Sequence, residues 1–199
     1  MHPNQTYRGT PEVEALAFAL ARGFGTLTVC GPDVPLLAHV PFCEVADGVL
    51  ECHLMRSNPV LRVLPARALL AVTGPDGYVS PDWYGMADQV PTWNYVVVHL
   101  EGCAEALPAE KMPAHLDRLS AAFESRLDKI PWTSAKMSEG VMERMMRSIV
   151  PVRMRVEAVR STFKLNQNKP DEVRRRAADS VGRGVGSELA ALATLMRNA

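Results

Sequence analysis

The sequence predicts an α+β fold, a small β-barrel of six or seven strands with peripheral helices. Two patterns point to it. The first hundred residues break into short β-branched runs separated by turn pairs such as Gly31-Pro32 and Asp47-Gly48. From Met112 onward the apolar spacing changes to a helical one. With 199 residues, 47% of them hydrophobic and 22% charged, the chain is long enough to bury a core of one domain with appendages.

In order, Thr10 N-caps a first helix with Pro11 at its first position, and Val13, Leu16, Ala17 and Leu20 form its apolar stripe up to a stop at Gly23. Strands follow at Thr26–Cys30, Leu36–Phe42 and Val49–Leu54, the last entered through Asp47-Gly48. Ser57 or Asn58 caps a short helix that starts at Pro59 and runs to about Leu64. That start, with Arg56 beside it, reads either as an ordinary capped helix or as a group of N–H and cationic donors ready for a phosphate. Ala68–Thr73 is a buried strand that delivers the chain to Gly74–Gly102, where two Trp and three Tyr gather. Gly74-Pro75 and Asp76-Gly77 read as turns opening an ordered loop, and Thr92–Leu107 as one long strand. Alternation sets Trp93, Tyr95, Val97 and His99 on one face and Asn94, Val96, Val98 and Leu100 on the other. The aromatic cluster suits either a structural plug or the faces of a flat heteroaromatic ligand.

Met112, Leu116, Leu119, Phe123 and Leu127 define a helix, and Ser138 caps another that turns Val141, Met142, Met145, Met146 and Ile149 inward. A strand begins at Pro151 and leaves through Phe163–Pro170. The chain divides into residues 1–170, the barrel with its inserted helices, and 171–199, a helical tail. In that tail Arg174-Arg175-Arg176 reads as a solvated face, and Ser187 caps Leu189–Met196.

Several chemistries are excluded or unsupported. Lys plus Arg balance Asp plus Glu at 22 each, so no global basic field favours DNA. No apolar run reaches transmembrane length and the N-terminus is unlike a signal peptide, which points to a cytoplasmic protein. Cys30, Cys43, Cys52 and Cys103 form no CxxC and read as reduced thiols. His39, His53 and His99 lie on separate strands without metal-ligand spacing, so no metal site is assigned. GxSxG, HExxH, Walker A and GxGxxG motifs are all missing.

Seven segments, taken together, resemble the PaiB-type FMN-binding family, described as negative transcriptional regulators. They are Phe24–Leu27, His39–Phe42, His53–Pro59, Gly74-Pro75, Tyr78–Tyr84, Val90–Tyr95 and Phe163–Asn168. The resemblance spans about Thr10 to Pro170. It implies an FMN-binding split barrel of Greek-key type and a homodimer with flavin at the subunit interface. It also implies Arg56, Ser57 and Asn58 at the phosphate, and Ser80, Trp83, Tyr84, Trp93, Asn94 and Tyr95 around the ring. Lys164, Gln167 and Asn168 would be further site residues, supplied by either subunit. The chain departs from the family in three places. Its loop Gly85–Gln89 is short and has no cation, Asn166 stands where Ser is usual, and His2 stands where an aromatic is usual. Split barrels also host NAD(P)H-dependent flavin oxidoreductases and haem proteins. These remain the alternatives, with His39, His53 or His99 as a haem ligand.

Overall fold

The structure, a computed structural model, describes residues 1–199. Helix α1 (Glu12–Arg22) leads into β1 (Phe24–Val29), β2 (Leu36–Pro41), β3 (Cys43–Ala46), β4 (Val49–Met55), β5 (Ala66–Val79) and β6 (Thr92–Ala106). Then come α2 (Met112–Glu124), α3 (Val141–Met146), β7 (Ile149–Lys164), α4 (Asp171–Val181), the two-residue β8 (Gly186–Ser187) and α5 (Leu189–Asn198). The α+β expectation holds. One sheet runs in the order β2-β1-β5-β6-β7-β4-β3, with β8 added on β5. Its registers are antiparallel, with Thr26 opposite His39, Leu27 opposite Leu70 and His53 opposite Pro151. No helix is long and apolar enough to cross a membrane.

The chain forms two compact units. The first comprises Met1–Leu16, Thr73–Val98 and Arg160–Ala199, and the second Ala17–Val72 and His99–Val159. In the second unit Leu27, Val29, Val40, Phe42, Leu50 and Leu54 are buried on alternating strand positions. Glu51 is buried with them, at 1% exposure, and its carboxylate takes hydrogen bonds from Arg118 (2.5 Å) and Arg153 (2.9 Å). Gly23, at φ +62°, ends α1 in the left-handed conformation that a C-terminal glycine allows. In the first unit Val79, Tyr84, Val96 and Val98 are buried beside Ala177, Val181, Leu192 and Met196 of the tail helices.

Six local expectations are corrected. Gly74-Pro75-Asp76-Gly77 is not a turn, because β5 runs through it to Val79. There β8 pairs with Asp76 and Gly77, and a Cβ on Gly77 would lie within 2.9 Å of the Leu189 and Leu192 side chains. These glycines therefore admit the tail and do not bend the chain. Pro11, not Thr10, holds the cap position before Glu12, since its carbonyl takes the N–H groups of Glu14 and Ala15. Gly140, at φ +73°, occupies the N-cap position of α3 in place of Ser138. That helix is one short turn and a half, and Met145 on it is 58% exposed, so the methionines do not fill a core. In the tail Ser187 lies in β8, Glu188 precedes α5, and Arg174 is 4% exposed, because its guanidinium donates to the Met196 carbonyl (2.8 Å) and Asp171 (2.9 Å).

Candidate functional site

In the first unit a polar cavity of about 340 Å³ forms where the N-terminal segment, the loop before β6 and the exit from β7 meet. Its walls include Tyr7, Tyr84, Gln89, Thr92, Lys164 and Lys169. Each is held for a local reason. Asn4 caps the turn that carries Tyr7, its side chain accepting from the Thr6 N–H at 2.9 Å. Tyr84 ends the Pro81–Tyr84 turn, and Gly85, in the left-handed conformation at φ +61°, closes that turn. Lys164 is the last residue of β7, and its ammonium donates to the Thr92 hydroxyl at the start of β6.

The cavity sets two cations beside phenols, with the Asp88 carboxylate on the same lining. Lys164 lies 6.0 Å from the Tyr7 ring centre and Lys169 lies 5.1 Å from that of Tyr84. Burial lowers the pKa of Lys164 below the ordinary lysine value and raises those of Tyr7 and Tyr84. The short loop, which has no cation of its own, receives one from the tail: the Lys169 ammonium donates to Gln89. Asn166 holds a positive φ of +63°, a conformation Asn tolerates better than most residues, and its amide donates to the Tyr84 hydroxyl at 3.1 Å. The departure at that position therefore has a structural use.

The predicted residues fall into several groups. Tyr84, Lys164 and Asn168 line this cavity. Gln167 lies beside it with both polar atoms committed to backbone, accepting from Leu165 (2.8 Å) and donating to Phe163 (2.6 Å) and Thr6 (3.3 Å). Ser80 sits at the cap position before Pro81 and makes no capping bond. Trp83 packs its ring edge against Gly184 of the tail. Trp93 is exposed, donates to Asp76 at 2.9 Å and stands edge-on to Tyr78. Tyr95 is half-buried two residues further along the same face. Asn94 is fully buried, and neither side-chain atom has a partner. Arg56, Ser57 and Asn58 belong to the second unit. There Arg56 donates to the carbonyls of Arg147 (2.9 Å) and Ile149 (3.4 Å), while Asn58 caps a single 3-10 turn, Pro59–Arg62, by accepting from Val60 at 2.9 Å. The expected helix start is thus one turn, with one of its N–H groups already satisfied.

Tyr7 and Lys169 escape a sequence reading, because they lie far apart in the chain and belong to no motif, although Lys169 is one residue beyond the Lys-Leu-Asn-Gln-Asn run. Thr92 lies in the Val90–Tyr95 segment without being singled out there, and His2 stands out only as a departure from the family.

The fold is that of an α+β split-barrel protein, and comparison with known structures agrees. The "FAD and Heme binding protein" of Mycobacterium smegmatis superposes with a TM-score of 0.58 at 17% identity, over 84% of this chain and 78% of that one. The flavocytochrome Anf3 of Azotobacter vinelandii gives 0.59 at 15%, over 82% and 72%. In sequence, the chain is 29% identical over 174 residues to "Protease synthase and sporulation protein PAI 2" of Bacillus subtilis (strain 168), which covers 85% of this chain and 83% of that protein. Residues 1–158 match the family described as "Putative FMN-binding domain", and the chain belongs to that family. The PaiB-type resemblance is borne out, and the cofactor is accordingly a flavin, FMN by the family's description.

Proposed function

We propose that this chain is a homodimeric FMN-binding regulator of the PaiB type, with flavin held at the subunit interface. The donor set fits such a cofactor. In the second unit Arg56 keeps three of its five N–H groups uncommitted by the bonds described, beside the hydroxyl of exposed Ser57. In the first unit Lys164 and Lys169 supply positive charge next to aromatic faces, and Trp93 and Tyr95 offer further ring surface. The observation that carries most weight is the polar cavity in which Lys164 and Lys169 stand beside the Tyr7 and Tyr84 rings. Asn94, a buried amide with neither atom bonded, is costly unless a ligand or water completes it, and lies on the strand face opposite Trp93 and Tyr95. When bound, FMN would supply electron or hydride chemistry. The chain's own part is to bind it, orient its ring and hold protons near it, for which Tyr7, Tyr84 and Lys164 are among the titratable groups at hand.

The direct test is a visible spectrum of the purified protein before and after adding FMN and removing the excess. Retained flavin bands are expected, with affinity lowered about tenfold or more in Arg56→Ala and Trp93→Ala. If both variants hold FMN as tightly as the parent, this assignment of residues fails. Regulation by direct DNA contact is tested by a gel shift at low salt, since the net charge of +0 gives no general attraction to DNA. No shift there sinks direct contact.

One observation favours an oxidoreductase as a second reading: three burial-perturbed titratable groups share an open cavity. Sustained NAD(P)H oxidation by the FMN-loaded protein supports it, and no turnover with either nicotinamide excludes that reaction.

A further inference from the structure

A buried polar chain in the second unit has no part in the reading above. Glu51 of β4, carrying its two arginine partners, lies 3.5 Å from Nδ1 of His115 on α2, an ion-pair distance and too long for a hydrogen bond. His115 is fully buried, and its Nε2 is 3.0 Å from Nδ1 of His53 on β4. His53 in turn lines an open groove of about 460 Å³ with Leu37, His39, Met55, Asn58 and Ile149.

The protons can be placed from the carboxylate outward. Burial works to raise the Glu51 pKa, but hydrogen bonds from Arg118 and Arg153 outweigh it and hold the pKa below the ordinary value, so Glu51 is ionised. A carboxylate tolerates an N–H facing it at 3.5 Å and disfavours a lone pair there. Burial and neighbouring His53 depress the His115 pKa to about 4, so at neutral pH that ring carries one proton, on Nδ1. Its Nε2 is then bare and must accept, which places the His53 proton on Nδ1. Burial also keeps His53 neutral. Its Nε2 is left with a lone pair, since the ring's bond to His115 runs through Nδ1. The two arginines make this unlike a catalytic carboxylate–histidine pair, because they hold Glu51's charge and leave it a poor proton acceptor.

We propose that Glu51 and His115 are positioning residues that lock the His53 tautomer, and that the groove binds an uncharged, phenol-class ring whose O–H donates to His53 Nε2. The groove's chemistry suits such a ligand. No carboxylate, lysine or arginine lines it. Exposed Leu37 and Met55 offer apolar surface to a ring. His39 is tied through Nδ1 to the Thr26 hydroxyl at 2.9 Å, a partner that can donate or accept and so fixes no tautomer, whereas His115 fixes that of His53 and leaves its Nε2 an acceptor. The lock does not depend on the flavin reading.

Long-range proton–nitrogen NMR on ¹⁵N-histidine protein reads the tautomers directly, with His53→Phe and His115→Phe assigning the signals. Both rings are expected in the Nδ1–H form, and Glu51→Gln is expected to give mixed tautomers at His53. Fluorine NMR titration at neutral pH then compares 4-fluorophenol with fluorobenzene. About tenfold tighter binding of the phenol is expected, and His53→Phe should abolish the difference. An Nε2–H form of His53 in the parent, or equal affinities for the two probes, overturns the proposal. The titration is repeated at saturating FMN. Unchanged phenol binding makes the groove a separate site, and its loss shows that bound FMN covers the groove. Either result upholds the acceptor.

Discussion

Glu51 and Asn94 are both polar side chains buried on inner strands of the sheet, at 1% and 0% exposure, yet they are opposites. Glu51 has two arginines and a histidine around it. Asn94 has nothing within hydrogen-bond reach of either side-chain atom. A satisfied buried charge acts as an anchor: it ties β4 to α2 and β7 and fails only if its partners are removed. An unsatisfied buried amide is a cost the folded chain carries until a water or ligand completes it; in the Glu51 cluster His115 Nδ1 and Arg153 Nε are also unpartnered, but the carboxylate itself is not.

The comparison can be broken most sharply at the anchor. The double variant Arg118→Ala/Arg153→Ala leaves a carboxylate buried without a cation, and a loss of about 3–5 kcal/mol is expected in urea denaturation. Glu51→Ala should cost less, because Arg118 and Arg153 are 43% and 37% exposed and can be rehydrated. If the double variant is as stable as the parent, Glu51 is not an anchor.

Acid probes the same cluster through His115. Its pKa is about 4 in the folded chain against an ordinary 6.5, so between these values the unfolded chain binds a proton that the folded chain does not. Stability from this source is complete above pH 6.5, falls as pH drops to about 4, and is flat below that, a loss on the order of 3 kcal/mol. Glu51, whose pKa is depressed, adds a loss in the same direction at lower pH, below 4.5. Denaturation of the parent and of His115→Asn from pH 7 to 4 isolates the histidine part, and parallel curves would remove it.

The smallest effect is expected at the other pole. Asn94→Leu removes two unpartnered polar atoms at nearly constant volume, so the flavin-free protein should gain about 1–2 kcal/mol while losing FMN affinity. A loss of stability in that variant would show that the amide already has a partner when flavin is absent, and the contrast with Glu51 would close.

Much of the fold was legible in local pattern. The β6 alternation set Asn94, Val96, Val98 and Leu100 on one face, which the structure buries, and Asp47-Gly48 marked the hairpin into β4, though not the separate strand β3, because both signals depend on neighbours in the chain. The candidate cavity was half legible. Tyr84, Lys164 and Asn168 came with the family motifs, whereas Tyr7, Thr92 and Lys169 needed the sheet to bring distant segments together. Gly74–Gly77 misled for the same reason. Turn residues in isolation became strand once β8 and α5 pressed against their backbone.

By itself the sequence determined the fold class, the family and the cofactor, since periodicity and contiguous motifs survive in one dimension. The tertiary structure decided which polar groups are paired. Arg174, read as solvated, is buried on the Met196 carbonyl, and Glu51 meets Arg118 and Arg153 across 67 and 102 positions. Whether a buried charge or amide is satisfied depends on distances between residues far apart in the chain, and no local pattern encodes them.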